Sequence, residues 1–498
     1  MLLKHKLKFY ISIGHLSGPR LQYKCSWRGA VFFSEGWIVH MLAGIFEPKM
    51  QIEESRKRFT NADIRRLVIP LFFEQLLVML VGIADTFMVS YAGDAAVSGV
   101  SLVNMFNTIF IYLFTALASG GAVVVSQYIG RGKKAHADIS GSQLLMCSTL
   151  ISVLLMAVSL IWNRQILGLL FGSVEPDVME ACVTYLRISA YSFPAIAVYN
   201  AGAALCRSMN ETKVTLYISV FSNVLNVAGN AVGIFVLHAG VAGVAYPSLI
   251  ARFFSAAAIT AFCFRKSNAV VYRLKDIFRW DGGMVWRILK VAVPNGVENG
   301  LFQLIKVALS SITALFGTVQ IAANGIAQSI WSLAALVGAA MGPAFVTVIG
   351  QCMGAGDSEA AEYYMQKLMR ITLLISVVWN ALVFAATPLI MQLYPLDGAV
   401  TQLVVVLVLI HNVFNAVFYP FSGVMPNGMR AAGDVRYAML VSIFSTAACR
   451  LVLSVVLGIW LNLGVIGVAL AMCCDWGVRV IFTLLRYKSG KWKRFRVI

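Results

Sequence analysis

The sequence predicts an all-α polytopic membrane protein, with twelve transmembrane helices in two pseudo-symmetric six-helix lobes around a central cavity. Three observations predict it. The 498 residues are 59% hydrophobic and only 12% charged, with a mean hydropathy of +0.79, whereas a soluble domain carries about 25% charged residues. Apolar runs close to the ~20 residues a membrane span requires recur down the chain. The chain also repeats itself: sliding it by 224 positions brings Pro70 onto Pro294 and Glu74 onto Glu298.

The apolar runs place spans at roughly 64–89, 103–127, 139–162, 182–206, 214–237, 241–264, 285–314, 324–350, 366–393, 401–424, 437–460 and 464–487. Leu144 to Trp162 and Leu403 to Val424 contain no Lys, Arg, Asp or Glu. The even-numbered connections hold sixteen Lys and Arg, from Arg131 to Arg436, and the odd-numbered ones hold Arg164 alone. By the positive-inside bias, even connections and both termini face the cytoplasm. A missed span would invert that pattern downstream, so its regularity supports twelve.

The net charge of +18 first suggests nucleic acid as a partner. Nucleic-acid binders gather their bases on one face or arm, and here the bases lie in strips between apolar runs, so the lipid bilayer is the expected partner. The nine Cys are scattered without a CxxC, which argues against a zinc site or disulfide framework. There is no HExxH, GxSxG or Walker A spacing, so the chain is not expected to be an enzyme or ATP-driven, and no cofactor is implied.

The expected organisation is an N-terminal extension (1–57) without stable order, an N-lobe (58–264), a basic interlobe linker (265–284), a C-lobe (285–487) and a basic cytoplasmic tail (488–498). The repeat carries further. Gln127-Tyr-Ile-Gly-Arg-Gly falls on Gln351-Cys-Met-Gly-Ala-Gly, and Gly240-Val-Ala-Gly-Val-Ala on Gly464-Val-Ile-Gly-Val-Ala. Between them a shift of 223 aligns Arg207 with Arg430, and a single-residue gap reconciles the two shifts. Six spans per half give both halves one orientation, related by an axis along the membrane normal. Transporters built from such repeats bind substrate at the repeat interface and move one bundle against the other.

A charge at mid-membrane costs roughly 2.5–3.5 kcal/mol on insertion scales, so each needs a reason. Eight are assigned to the spans: Glu74, Asp85, Arg252, Glu298, Lys306, Arg450, Asp475 and Arg479. Asp475 and Arg479 stand one helical turn apart and can pair; with Arg450 they form an expected structural charge cluster. The first lobe then has two acids and one base, which leaves one acid without a counter-charge. Glu74 and Asp85, eleven residues apart, share a helix face and are both coupling candidates. Asn223, Asn226 and Asn230 in the fifth span offer either neutral oxygens to a cation near Asp85 or hydrogen bonds between helices. In the second lobe the shift places Leu309 where the first has Asp85, and the candidates are Glu298, Lys306 and His411, with Lys306 expected to pair with Glu298 or across the cleft.

Ala84-Asp85-Thr86-Phe87-Met88-Val89, the paired Gln127 and Gln351 segments, Asn226-Val-Ala-Gly-Asn230 and Asp475-Trp476-Gly-Val-Arg479 together resemble the multidrug and toxic compound extrusion (MATE) family, bacterial type. The resemblance covers about residues 60–493. It implies a secondary antiporter of the bacterial plasma membrane, acting as a monomer. Such an antiporter exports organic cations, amphipathic drugs and toxins in exchange for H⁺ or Na⁺. It makes Asp85 the coupling carboxylate, with Asn226 as its amide neighbour and Na⁺ a candidate ligand of the two. A flippase for lipid-linked or anionic amphiphiles of the same broad superfamily is the alternative, which Arg252, Lys306 and Arg450 keep open.

Overall fold

In a computed structural model, residues 47, 48, 50–172, 174–392 and 398–498 are described. The expected disorder of the N-terminal extension concerns residues that lie largely outside these. Residues 48–498 form one compact unit, helical throughout its described part with no strand.

Among the described residues twelve helical segments, one of them a bent pair, are long enough to cross a bilayer. They are α1 (Asn61–Ser90), α2 (Asp94–Gly130), α3 (Lys134–Ile161), α4 (Pro176–Tyr191 and Phe193–Ser208), α5 (Thr212–Val236), α6 (Ala242–Cys263), α7 (Gly282–Ala314), α8 (Thr318–Gly354), α9 (Ser358–Met391), α10 (Gly398–Ala432), α11 (Val435–Trp460) and α12 (Gly464–Lys488). Ten pass on length and apolar composition, and α4 is an eleventh if its halves, bent by 45°, are one span. The twelfth, α7, is 33 residues long and carries Arg287, Lys290, Glu298 and Lys306, which dilute its apolar character. Thr60 starts α1 with a reciprocal capping box to Asp63. Large apolar side chains such as Leu154, Phe221 and Phe253 cover the outside. Exposed apolar surface on this scale needs lipid, not water.

The backbone repeats as the sequence does. Gly93 and Gly317 have φ of 99° and 87°, Gly132 and Gly356 72° and 79°, His238 and Asn462 46° and 55°, Gly240 and Gly464 55° and 56°. All four pairs obey the 224 shift. Asn210 and Gly433, at 66° and 105°, are 223 apart. Left-handed backbone strains most side chains, so these positions mark the same turns in both halves and bracket the stretch in which the shift is one residue shorter.

The helices run further than the apolar runs. Arg207 and Arg430, read from sequence as loop residues, lie inside α4 and α10; Lys367 and Arg370 lie inside α9. Arg187, outside the eight assigned charges, also lies within α4. A short helix over Asn163–Phe171 joins α3 to α4.

The lobes meet where α2 and α8 end. A Cβ on Gly130 would sit 1.9 Å from the Gln351 carbonyl oxygen, and one on Gly354 would sit 1.9 Å from that of Gln127. Around this crossing Gln127 Nε2 donates to the Ala431 carbonyl at 2.8 Å, and Gln351 Nε2 to the Ser208 carbonyl at 2.9 Å. The two bonds are repeat equivalents. On the same side Arg56 grips Asp357 through Nε at 2.9 Å and Nη2 at 2.5 Å. Those bonds hold the Asp357 carboxyl below the usual carboxylate range.

The linker and tail are both docked. Gln143 Nε2 donates to the carbonyls of Asp276 (2.5 Å) and Arg279 (2.6 Å), and Asp138 receives Val271 N at 2.9 Å and Arg273 Nη2 at 2.5 Å. In the tail Trp492 is fully buried against Tyr487.

Candidate functional site

Both acids of α1 face α5. Glu74 is buried, and its Oε1 receives Arg207 Nη2 at 2.8 Å while its Oε2 receives Thr215 Oγ1 at 2.8 Å. The second lobe repeats this pair, with Arg430 Nη2 donating to Glu298 Oε2 at 2.6 Å. Two readings from sequence are corrected here. Glu298 pairs with Arg430 and not with Lys306. Arg252 is not the base that serves the first-lobe acids, since Arg207 neutralises Glu74. An ion pair kept at equivalent positions of both lobes belongs to the construction of the fold. Removing one partner of such a buried pair strands the other, at a cost of about 3–5 kcal/mol. Arg207→Ala should therefore lower thermal stability in detergent sharply. The double variant Arg207→Gln, Glu74→Gln should recover much of the loss; a double variant no more stable than the single one would refute the assignment.

Asp85 is held differently. It is partly buried, and Asn230 Nδ2 donates to its Oδ1 at 2.7 Å. Among the described residues no Lys or Arg makes an ion pair with it. Arg252 is near enough for its field to reach Asp85, but its Nη1 donates to Ser192 Oγ at 2.6 Å, at the break in α4. Asn226 is not a direct partner of Asp85, as its role beside the carboxylate would require. It accepts from Asn230 Nδ2 at 3.3 Å and donates to Ser248 Oγ at 2.8 Å. Asn230 is fully buried, and its Oδ1 has no partner among the described residues. A chain of polar groups thus runs Asp85–Asn230–Asn226–Ser248 through an otherwise apolar region.

The second-lobe candidates lie apart from this chain. Asp475 is fully buried between two guanidinium groups. Arg479 Nε is 2.9 Å from Oδ1, and Arg450 Nε is 3.2 Å from Oδ2. Arg479 also donates to Ser445 and Thr446. His411 is buried in α10, and neither ring nitrogen has a partner among the described residues. Lys306 and His411 line one cavity together with Arg450. Among the described residues no group of three or more His, Cys, Asp or Glu could hold a metal ion.

Sequence reasoning missed the roles of Arg207, Arg430 and Ser248. The repeat held the clue for the first two, since Arg207 aligns with Arg430 just as Glu74 aligns with Glu298.

Comparison with known proteins matches this layout. The MatE family profile matches twice, over residues 70–232 and 294–456, the same 224-residue displacement as the repeat. An uncharacterized transporter, YisQ, of Bacillus subtilis is 27% identical over 85% of this chain and 93% of its own length. A probable multidrug resistance protein, NorM, of Thermotoga maritima is 23% identical over 91% and 96%. Among solved structures, the outward-facing conformation of a multidrug resistance MATE family transporter superposes with a TM-score of 0.81. It is 21% identical and covers 87% of this chain and 96% of its own. Two family matches, spanning well over half the residues and laid on the two halves of one repeat, show that the chain belongs to the MATE family of multi-pass membrane transporters and is not an enzyme.

Proposed function

We propose that this transporter is an antiporter that expels organic cations and amphipathic drugs in exchange for a proton, with Asp85 as the residue that carries the coupling ion. The observation that carries the reading is the contrast between the two acids of α1. Glu74 has a guanidinium partner, whereas among the described residues Asp85 has only a neutral amide donor. A carboxylate with a fixed counter-charge has little reason to change protonation state. One held by an amide can gain and lose a proton as its surroundings change. Loading Asp85 removes its attraction for a cationic substrate and alters its bond to α5, so substrate release and lobe movement follow one event.

Na⁺ is the alternative ion. The amide nitrogen of Asn230 lies between the oxygens of Asp85 and Asn226 and would repel a cation there. Turning that amide over would offer Na⁺ three oxygens, so the Na⁺ reading needs this rearrangement and the proton reading does not.

The basic strips favour an orientation in which the Gly130–Gly354 crossing faces the cytoplasm of a bacterial plasma membrane. Proteoliposomes loaded with ethidium test the function. Efflux driven by an imposed proton gradient and indifferent to Na⁺ is the expected result. Efflux that follows a Na⁺ gradient alone would replace the proton, and efflux under neither gradient would reject antiport.

A further inference from the structure

The repeat sets the Asp85 site against its counterpart in the second lobe, and the two have opposite polarity. The 224 shift replaces Asp85 by Leu309, and Arg450 stands at the 224 equivalent of Asn226, one residue past its 223 equivalent, Cys449. Leu309 and Arg450 both line a cavity of about 110 Å³ within the second lobe. In its polar lining Lys306, Arg450 and Trp331 are donors alone, and His411, Asn324 and Gln328 each carry both donor and acceptor groups. The two hydroxyls there, Ser310 and Thr313, spend their protons on carbonyls of their own helix. No carboxylate lines it.

Several of those donors are unused. Trp331 Nε1 and both nitrogens of the buried His411, one a donor and one an acceptor in the neutral ring, have no hydrogen-bond partner among the described residues. Lys306 makes neither an ion pair nor a side-chain hydrogen bond among them. Arg450 has one acid nearby, but its Nε, 3.2 Å from Asp475 Oδ2, makes no hydrogen bond to it, and Arg479 claims both oxygens of that carboxylate. The Arg450 guanidinium lies instead over the Phe302 ring, 5.1 Å from its centre. The buried donor atoms left unmade on Trp331 and Arg450 are costly; Lys306 is exposed, and this cation set, facing one shared carboxylate, keeps an excess of positive charge. A group that accepts several hydrogen bonds and carries negative charge satisfies both deficits, and apolar neighbours such as Phe302 and Met472 would cover a hydrocarbon or ring attached to it.

We infer that this second-lobe cavity binds the anionic group, a carboxylate or similar oxyanion, of an amphipathic substrate. The proposal rests on the transporter reading and names a substrate class for it: molecules with an acidic head on an apolar body, beside or joined to the cationic groups that Asp85 attracts.

Calorimetry on the full chain in lipid nanodiscs tests it with 1-naphthylacetate and its neutral isostere 1-naphthylacetamide. The expected result is acid binding about tenfold or more tighter than amide, the scale of one charge-assisted hydrogen bond. Lys306→Gln should erase that preference. Lys306 has no side-chain partner to lose, so the variant should fold, and Lys306→Arg should restore the preference. Asp85→Asn should retain acid binding whether or not it still pumps, so failure of the coupling mechanism and failure of this cavity are separable. Equal affinity for acid and amide would overturn the proposal, as would a preference unchanged in Lys306→Gln. Displacement of neither ligand by chloride is expected. A site that takes chloride while ignoring the naphthyl acid would also overturn it.

Discussion

Asp85→Asn should reduce energised efflux to the background of cells lacking the transporter, with expression and thermal stability unchanged. The substitution is close to isosteric, and the retained Oδ1 still accepts from Asn230 Nδ2, now 2.7 Å away. Folding should therefore survive, because no ion pair of Asp85 exists among the described residues to be broken. What disappears is the capacity to switch between charged and neutral forms. Substrate binding should weaken for cations and hold for neutral amphiphiles. The measurement is ethidium efflux from proteoliposomes under a proton gradient, beside equilibrium binding. Efflux at the unsubstituted rate would end the case for Asp85 as the coupling group. Glu74→Gln serves as the contrast, because it should cost stability first by leaving Arg207 buried without its anion.

The second large effect is expected at the lobe junction. Gly130→Ala places a methyl 1.9 Å from the carbonyl oxygen of Gln351, a backbone atom that no side-chain rotation can move. Forced overpacking costs about 1–3 kcal/mol. If the lobes occupy two arrangements, a penalty of that size in one of them shifts the population by roughly 5- to 150-fold. Spin labels at Arg131 and Ala355 should report longer separations in Gly130→Ala than in the unsubstituted protein, and transport should fall. Gly354→Ala should behave alike, since its methyl meets Gln127 in the mirrored position. Unchanged separations with full transport would show that the crossing loosens freely.

Much of this architecture is legible in the sequence, and particular residues show where legibility stops. The repeat is readable because its turns need left-handed backbone, and Gly93, Gly132 and Gly240 recur as Gly317, Gly356 and Gly464. The span count is readable because lipid selects apolar side chains. The ends of the helices are not, because hydropathy marks where a helix leaves the hydrocarbon and not where its hydrogen bonds stop. Arg207 sits just past that point and so looks like a loop residue, although it neutralises a buried glutamate. Lys306 fails as a partner of Glu298 for a geometric reason, since eight residues along one helix separate them by about 12 Å. The cluster of Arg450, Asp475 and Arg479 was readable from its one-turn spacing, since α11 and α12 are chain neighbours. The amide link through Asn230 follows from α5 packing along α1; sequence supplies the amides and the fold chooses between them.

Lys306, Arg450, Arg479 and Asp475 together contribute a net charge of +2 to the spanning helices of the second lobe. Charge placed there lies in the field of the membrane potential. Moving one elementary charge fully across 100 mV changes the energy by about 2.3 kcal/mol, and a partial movement by the corresponding fraction. Any displacement of that lobe along the membrane normal would therefore do electrical work, and a membrane potential would weight the arrangements it can occupy.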